Sequence, residues 1–174
     1  MTPEQFAAFI GFAFVTSVTP GPNNMMLIAS GANFGFWRSI PHMLGISIGH
    51  MAMTLIVGLG LAGIVQQEPR ILIVLKWVSV AYLLWLAWKL AHAAAPGTAT
   101  AGAKPMTFFG AALFQWVNPK AWTMSLGAVT AYATNPTPMI VALIAVTFAI
   151  INLPSVSVWT IAGQQLRRFL TSPA

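Results

Sequence analysis

Two long apolar stretches are each broken near mid-length by proline in a polar setting, Thr19-Pro20-Gly21-Pro22-Asn23 and Asn118-Pro119-Lys120. Proline lacks the amide proton that an interior helical residue donates, and it crowds the preceding turn, so a helix that meets it must bend or stop. At bilayer depth, irregular backbone is tolerated only where it is buried in protein or lines a water-filled cavity. These two breaks therefore predict helices that halt and restart around a hydrated pocket.

The membrane setting follows from composition: 57% of the 174 residues are hydrophobic and 6% are charged, whereas a soluble domain carries about 25% charged residues. With about 20 apolar residues needed per crossing, the chain holds five spans, at residues 6–32, 40–65, 71–91, 106–133 and 139–163. The predicted fold is an all-α integral membrane protein with five transmembrane helices. Its net charge of +6 does not point to nucleic acid, because the eight Lys and Arg are scattered at span ends rather than clustered. Zero cysteines exclude a disulfide framework and any thiolate metal site. The start, Met1-Thr2-Pro3-Glu4, has no basic residue ahead of the apolar run, so the first span is expected to remain in the mature protein. Residues 93–105 (AAAPGTATAGAKP) have linker composition and divide a first unit, 1–92, from a second, 106–174.

Orientation comes from the basic residues on alternate sides of the spans. Arg38, Lys89, Lys104, Arg167 and Arg168 fall on one side, and Arg70 and Lys76 on the other together with Glu4 and Glu68. The positive-inside rule puts the Arg167/Arg168 end in the cytoplasm and the N-terminus outside. Trp37, Trp77 and Trp88 lie near span ends, as interfacial aromatics do, and Lys76 can snorkel from its helix.

Laying the first span on the fourth with an offset of 99 residues superposes Pro20 on Pro119. Phe9, Gly11, Ala13, Val18, Met25, Leu27, Ala29 and Ala32 then meet Phe108, Gly110, Ala112, Val117, Met124, Leu126, Ala128 and Ala131. Three spans separate the two copies, and an odd number inverts the second one in the membrane, the layout of many secondary transporters. The second copy has two spans where the first has three, which reads as a sixth span absent from this chain, through truncation or because a neighbouring subunit fills its place. Arg167 to Ala174 then reads as a cytoplasmic loop ahead of a further helix.

At the first break, carbonyls left unpaired upstream can accept from an ammonium group or water, while the free amides of the restarted helix, with Asn23 and Asn24, can hold a carboxylate. Pro119 should act likewise from the opposite direction, with Asn118 beside it. Lys120 lies about 20 Å into its span at 1.5 Å per residue, so it must face water, a substrate anion or a partner dipole. No Asp or Glu lies in any span, which leaves His50 and Lys120 as candidate proton carriers. Gly45 and Gly49 form a GxxxG spacing suited to close helix packing. Asn152, Pro154, Ser155 and Ser157 mark a further polar kink, with Asn152 as a candidate cavity wall. Paired carboxylates, a His and acid metal cluster, and a Ser with His and Asp partners are all missing from the sequence, so an enzyme is not expected, and no cofactor is.

Thr19-Pro20-Gly21-Pro22-Asn23, Gly45-xxx-Gly49-His50 and Asn118-Pro119-Lys120 together resemble the LysE/RhtB family of bacterial amino-acid exporters. The resemblance covers essentially the whole chain. It implies a bacterial inner-membrane secondary transporter that exports amino acids or their derivatives, driven by the proton gradient as an antiporter. It also implies six spans in two inverted three-helix repeats with broken first helices. Residues around the three motifs are then implied to line the pathway: Thr19, Pro20, Gly21, Pro22, Asn23, Gly49, His50, Asn118, Pro119 and Lys120. The absence of an intramembrane carboxylate favours neutral substrates, since a dibasic one would lack a counter-charge. A passive channel and a non-transporting membrane subunit remain as alternatives. The implied partners are the amino acid, protons and the lipid bilayer, with a homo-oligomer left open.

Overall fold

The computed structural model describes residues 1–68, 70–91, 104–133 and 135–171, and every regular element among them is helical. Helix α1 (Pro3–Val18) starts on a reciprocal cap in which Thr2 Oγ1 accepts from the Gln5 amide at 3.2 Å and Gln5 Oε1 accepts from the Thr2 amide at 2.9 Å. It stops at the first break, and α2 (Pro22–Phe34) restarts with Pro22 in its opening turn. Proline is well suited to that place, where its missing amide proton has no intrahelical partner to lose. Gly35, at φ 77°, reverses the chain into α3 (Phe36–Ile56), in a conformation that a β-carbon disfavours. Helix α3 passes through a π turn at Val57–Leu61 into α4 (Ala62–Gln67).

Helix α5 (Arg70–Ala91) follows, then α6 (Phe108–Phe114), which tightens into one 3-10 turn at Gln115–Val117. Asn118 separates that turn from α7 (Pro119–Tyr132), and α8 (Pro138–Thr171) completes the described chain. Both proline breaks therefore interrupt helices where the sequence predicts it. Pro154, in contrast, sits inside α8, which continues through it. The predicted loop at Arg167 and Arg168 is instead the last part of α8, because Gln, Leu and Arg are good helix formers and no proline intervenes before Pro173. The predicted linker 93–105 lies outside the described residues except for Lys104 and Pro105, as does the Lys89 side chain.

Among the described residues, two helical segments, Phe36–Gln67 and Pro138–Phe169, are long and apolar enough to cross a membrane. Helices α1 and α2, with 16 and 13 residues, rise about 24 Å and 20 Å at 1.5 Å per residue, so neither alone covers a hydrocarbon core of about 30 Å. Their junction falls within the bundle.

Small residues bring the helices close enough for the breaks to meet. A β-carbon on Gly31 of α2 would collide with the Thr160 carbonyl of α8, and one on Gly163 of α8 with the Ile28 carbonyl of α2. Gly45 and Gly49 of α3 likewise lie against the backbone of α6 at Phe108 and Ala112, as their spacing predicts. Phe9 and Phe148 meet edge to face at 5.2 Å in the buried core, and Tyr132 stands 5.5 Å from Phe9. Helix α5 touches mainly α7 and the 3-10 turn and leaves Val74, Trp77 and Leu84 largely exposed, an apolar exterior suited to lipid. At the opposite end, Arg38, Arg167 and Arg168 border one cleft, and Arg38 and Lys104 border the next. Four of the five cations assigned to one side by sequence therefore gather at one end.

Candidate substrate site between the two helix breaks

The residues around the breaks converge on one small cavity. Gly21, Asn23, Asn24, His50, Gln115, Asn118, Lys120 and Asn152 all line it, with Thr16, Ser17, Ala121, Met124 and Val156 completing the wall. About 20 Å³ is open to the centre of a water molecule, which is room for a single water. Its polar lining leaves little free space.

The end of α1 explains why. A helix terminus leaves its last carbonyls without intrahelical partners, and here each one from Ser17 to Pro20 is taken by a side chain from elsewhere. Ser17 O accepts from Asn24 Nδ2 at 3.1 Å and from Ser155 Oγ at 3.0 Å, and Val18 O accepts from Trp159 Nε1 at 3.2 Å. Thr19 O accepts from Asn24 Nδ2 at 2.9 Å and from Lys120 Nζ at 2.5 Å. The same ammonium donates to Thr19 Oγ1 at 3.0 Å and reaches Pro20 O at 3.5 Å. Of the three environments expected for Lys120, the one present is a partner dipole. Its positive charge sits on the negative end of α1.

The second break is organised differently, because Asn118 caps α7 itself: its Oδ1 accepts from the Lys120 amide at 3.1 Å. Helix α2 has no such side-chain cap, since its N-cap is Gly21, which lines the cavity with Asn23 and Asn24. Asn23 and Gln115 exchange two bonds across the breaks, at 2.9 and 3.2 Å, and Gln115 also donates to Ala111 O at 2.9 Å. His50 is buried, with Nε2 3.2 Å from Ser125 Oγ, which lies 2.9 Å from Thr54 Oγ1. Ser17, a lining residue, has no hydrogen-bond partner for its Oγ among the described residues.

Against this geometry, a family model for LysE type translocators matches residues 14–173. The chain belongs to this family. It is 31% identical over 170 residues to a cysteine/O-acetylserine efflux protein of Klebsiella pneumoniae subsp. pneumoniae, covering 97% of this chain and 86% of that protein. Proteins of the same description from Salmonella choleraesuis and Escherichia coli K12 are 33% and 32% identical over 174 residues, with 97% of this chain and 87% of theirs covered. No solved structure matches the chain. Family membership makes this a membrane translocator and not an enzyme.

Among the residues singled out in this translocator by sequence, Gly21, Asn23, His50, Asn118, Lys120 and Asn152 share the cavity. Thr19 and Pro20 are exposed beside it and take part through the Lys120 ammonium, while Pro22 and Pro119 occupy the first turns of α2 and α7. Gly49 is set back from the lining, pressed on Ala112. Gln115, Ser17, Ser125 and Trp159 were not anticipated as parts of the site, whereas Ser155 belongs to the polar kink read from the sequence. Gln115 carried a usable signal, being the one glutamine in the fourth apolar segment, where an amide demands partners.

Proposed function

We propose that this translocator exports small neutral amino acids and their O-acyl derivatives, cysteine and O-acetylserine among them, by binding them as zwitterions between the two breaks. The observation that carries this reading is the Lys120 ammonium seated on the carbonyl end of α1, across the cavity from the uncapped start of α2. Lys120 stands where a substrate ammonium would be received. An arriving zwitterion sets its α-ammonium on the Thr19 and Pro20 carbonyls, and its carboxylate takes Lys120 and the α2 amides. Lysine or arginine would bring a second cation to a lining that holds no carboxylate, and such a charge is costly to bury unpaired. The similarity to cysteine/O-acetylserine efflux proteins supports the same substrate class.

In this reading residues 1–92 and 106–174 act as inverted halves joined by the linker 93–105. Lys120 and the Asn23–Gln115 pair tie the halves together, and exchanging those ties for substrate contacts lets one half move against the other. The cationic end faces the cytoplasm and the N-terminus faces outward. His50 and Lys120, the ionisable side chains on the cavity wall, are the candidates for coupling to protons. Efflux from reconstituted vesicles across a panel of amino acids tests the proposal. O-acetylserine and cysteine should move fastest and slow when the proton gradient is collapsed. Faster movement of lysine or arginine overturns the substrate class, and flux indifferent to the gradient makes the protein a passive channel.

A further inference from the structure

His42, in the second turn of α3, is 2% exposed and neither ring nitrogen has a hydrogen-bond partner among the described residues. A buried polar group in that state carries its desolvation penalty uncompensated, so a partner belongs there in some working state of the protein. The imidazole forms part of a cleft with Met26, Ala29, Ser30 and Asn33 of α2 and with Met106. That cleft opens about 190 Å³ to the centres of water molecules, against about 20 Å³ in the central cavity. It is an open groove with a mostly apolar wall and a few polar groups, and it is large enough to take a small solute.

Its hydrogen-bonding capacity can be counted. Asn33 Nδ2 donates to Ala29 O at 2.9 Å, which leaves its Oδ1 as an acceptor. Ser39 donates to Gly35 O at 2.8 Å, so in the Ser30–Ser39 contact, also 2.8 Å, Ser30 is the donor and its lone pairs remain. Neutral imidazole adds one donor and one acceptor. Once the wall loosens enough to uncover the buried imidazole nitrogens, three acceptors and one N–H among uncharged residues suit an ammonium with a carboxylate beside it and give no counter-charge to a net ion.

The cleft also lies on a line to the central cavity. Asn23, Met26, Ser30 and Asn33 fall three, four and three residues apart on one face of α2, with Asn23 in the central cavity and the other three in the cleft. On α3, His42, Ile46 and His50 are spaced by four, and eight residues separate the two histidines by about 12 Å. Buried Ile46 lies midway between the two histidines along α3, and buried Met26 between Asn23 and Ser30 along α2.

We propose that the cleft of His42, Ser30 and Asn33 is a second amino-acid site, which holds a neutral zwitterion from the Arg38 end before it passes Ile46 and Met26 to the central cavity. This rests on the exporter reading above. Because the sequence has no cysteine, an Ala29→Cys variant reports on the cleft alone when treated with an impermeant maleimide in vesicles exposing the Arg38 end. O-acetylserine, the probe, should slow labelling at least fivefold, and L-lysine should leave it unchanged. Protection should persist when Lys120→Met disables the central cavity and vanish with His42→Leu; His42→Gln, which keeps polar atoms in place, should retain part of it. His42→Leu should also raise the KM for efflux about tenfold. Normal efflux with no protection means the cleft holds only water, and protection lost with Lys120→Met means the label senses the central cavity. Either result overturns the second site while the exporter reading stands. Absence of O-acetylserine efflux by the unaltered chain sinks the exporter reading and this site with it.

Discussion

Replacing Lys120 with methionine keeps the length and apolar stem of the side chain and removes only the ammonium, so it isolates the contact on which the transport reading rests. The cost to folding should be small. Thr19 O keeps its 2.9 Å bond from Asn24 Nδ2 and Thr19 Oγ1 keeps its 3.1 Å bond to Thr16 O while losing the ammonium, so only Pro20 O, 3.5 Å from Nζ, is left without a replacement, a loss of about 1 kcal/mol. The cost to substrate binding is larger, because the carboxylate loses a charged donor worth about 1.5–3 kcal/mol, or roughly 10- to 140-fold in apparent affinity. Initial efflux rates from vesicles carrying equal amounts of protein should therefore show KM for O-acetylserine raised by that factor, with purified yield and detergent stability near those of the unaltered chain. A KM within twofold would refute the reasoning and return Lys120 to the role of a helix-terminus clamp. A collapse in yield would instead show that the clamp holds the fold.

Two further substitutions test the surroundings of that contact. Gly21→Ala places a β-carbon 2.7 Å from Lys120 Cδ and 3.1 Å from Nζ. The flexible lysine end can yield, so the protein should fold, but with the ammonium displaced the efflux rate should fall at least tenfold; an unchanged rate argues against any need for Lys120 at this position. Gly49→Ala sets a β-carbon 2.5 Å from Ala112 Cα and 2.9 Å from its Cβ. That overlap is largely with backbone, and about 1–3 kcal/mol of overpacking should lower the thermal midpoint and the yield, both read directly on purified protein.

Much of this organisation was legible along the chain. The spans Phe36–Gln67 and Pro138–Phe169 show because crossing a bilayer requires a minimum length of uncharged residues, and the breaks at Pro20 and Pro119 show because proline acts on its own helix, wherever that helix lies. The GxxxG spacing at Gly45 and Gly49 was readable for a related reason: only missing side chains allow such approach, although the sequence could not say that α6 is what approaches. The fate of Arg167 and Arg168 was misread because a short basic segment after a glycine resembles a loop, while its residues propagate a helix already begun.

What local chemistry determined by itself is that carbonyls would be stranded at the end of α1 and amides freed at the start of α2. Which groups answer them was decided by tertiary structure alone. The Lys120 ammonium, the Ser155 hydroxyl and the Trp159 indole come from 101, 138 and 141 residues away, and no pattern in the neighbourhood of Pro20 encodes their arrival. The same is true of Gln115 opposite Asn23 and of the unpaired His42. A backbone group's need for a partner is a property of its own few residues, whereas the identity of that partner depends on how the helices cross.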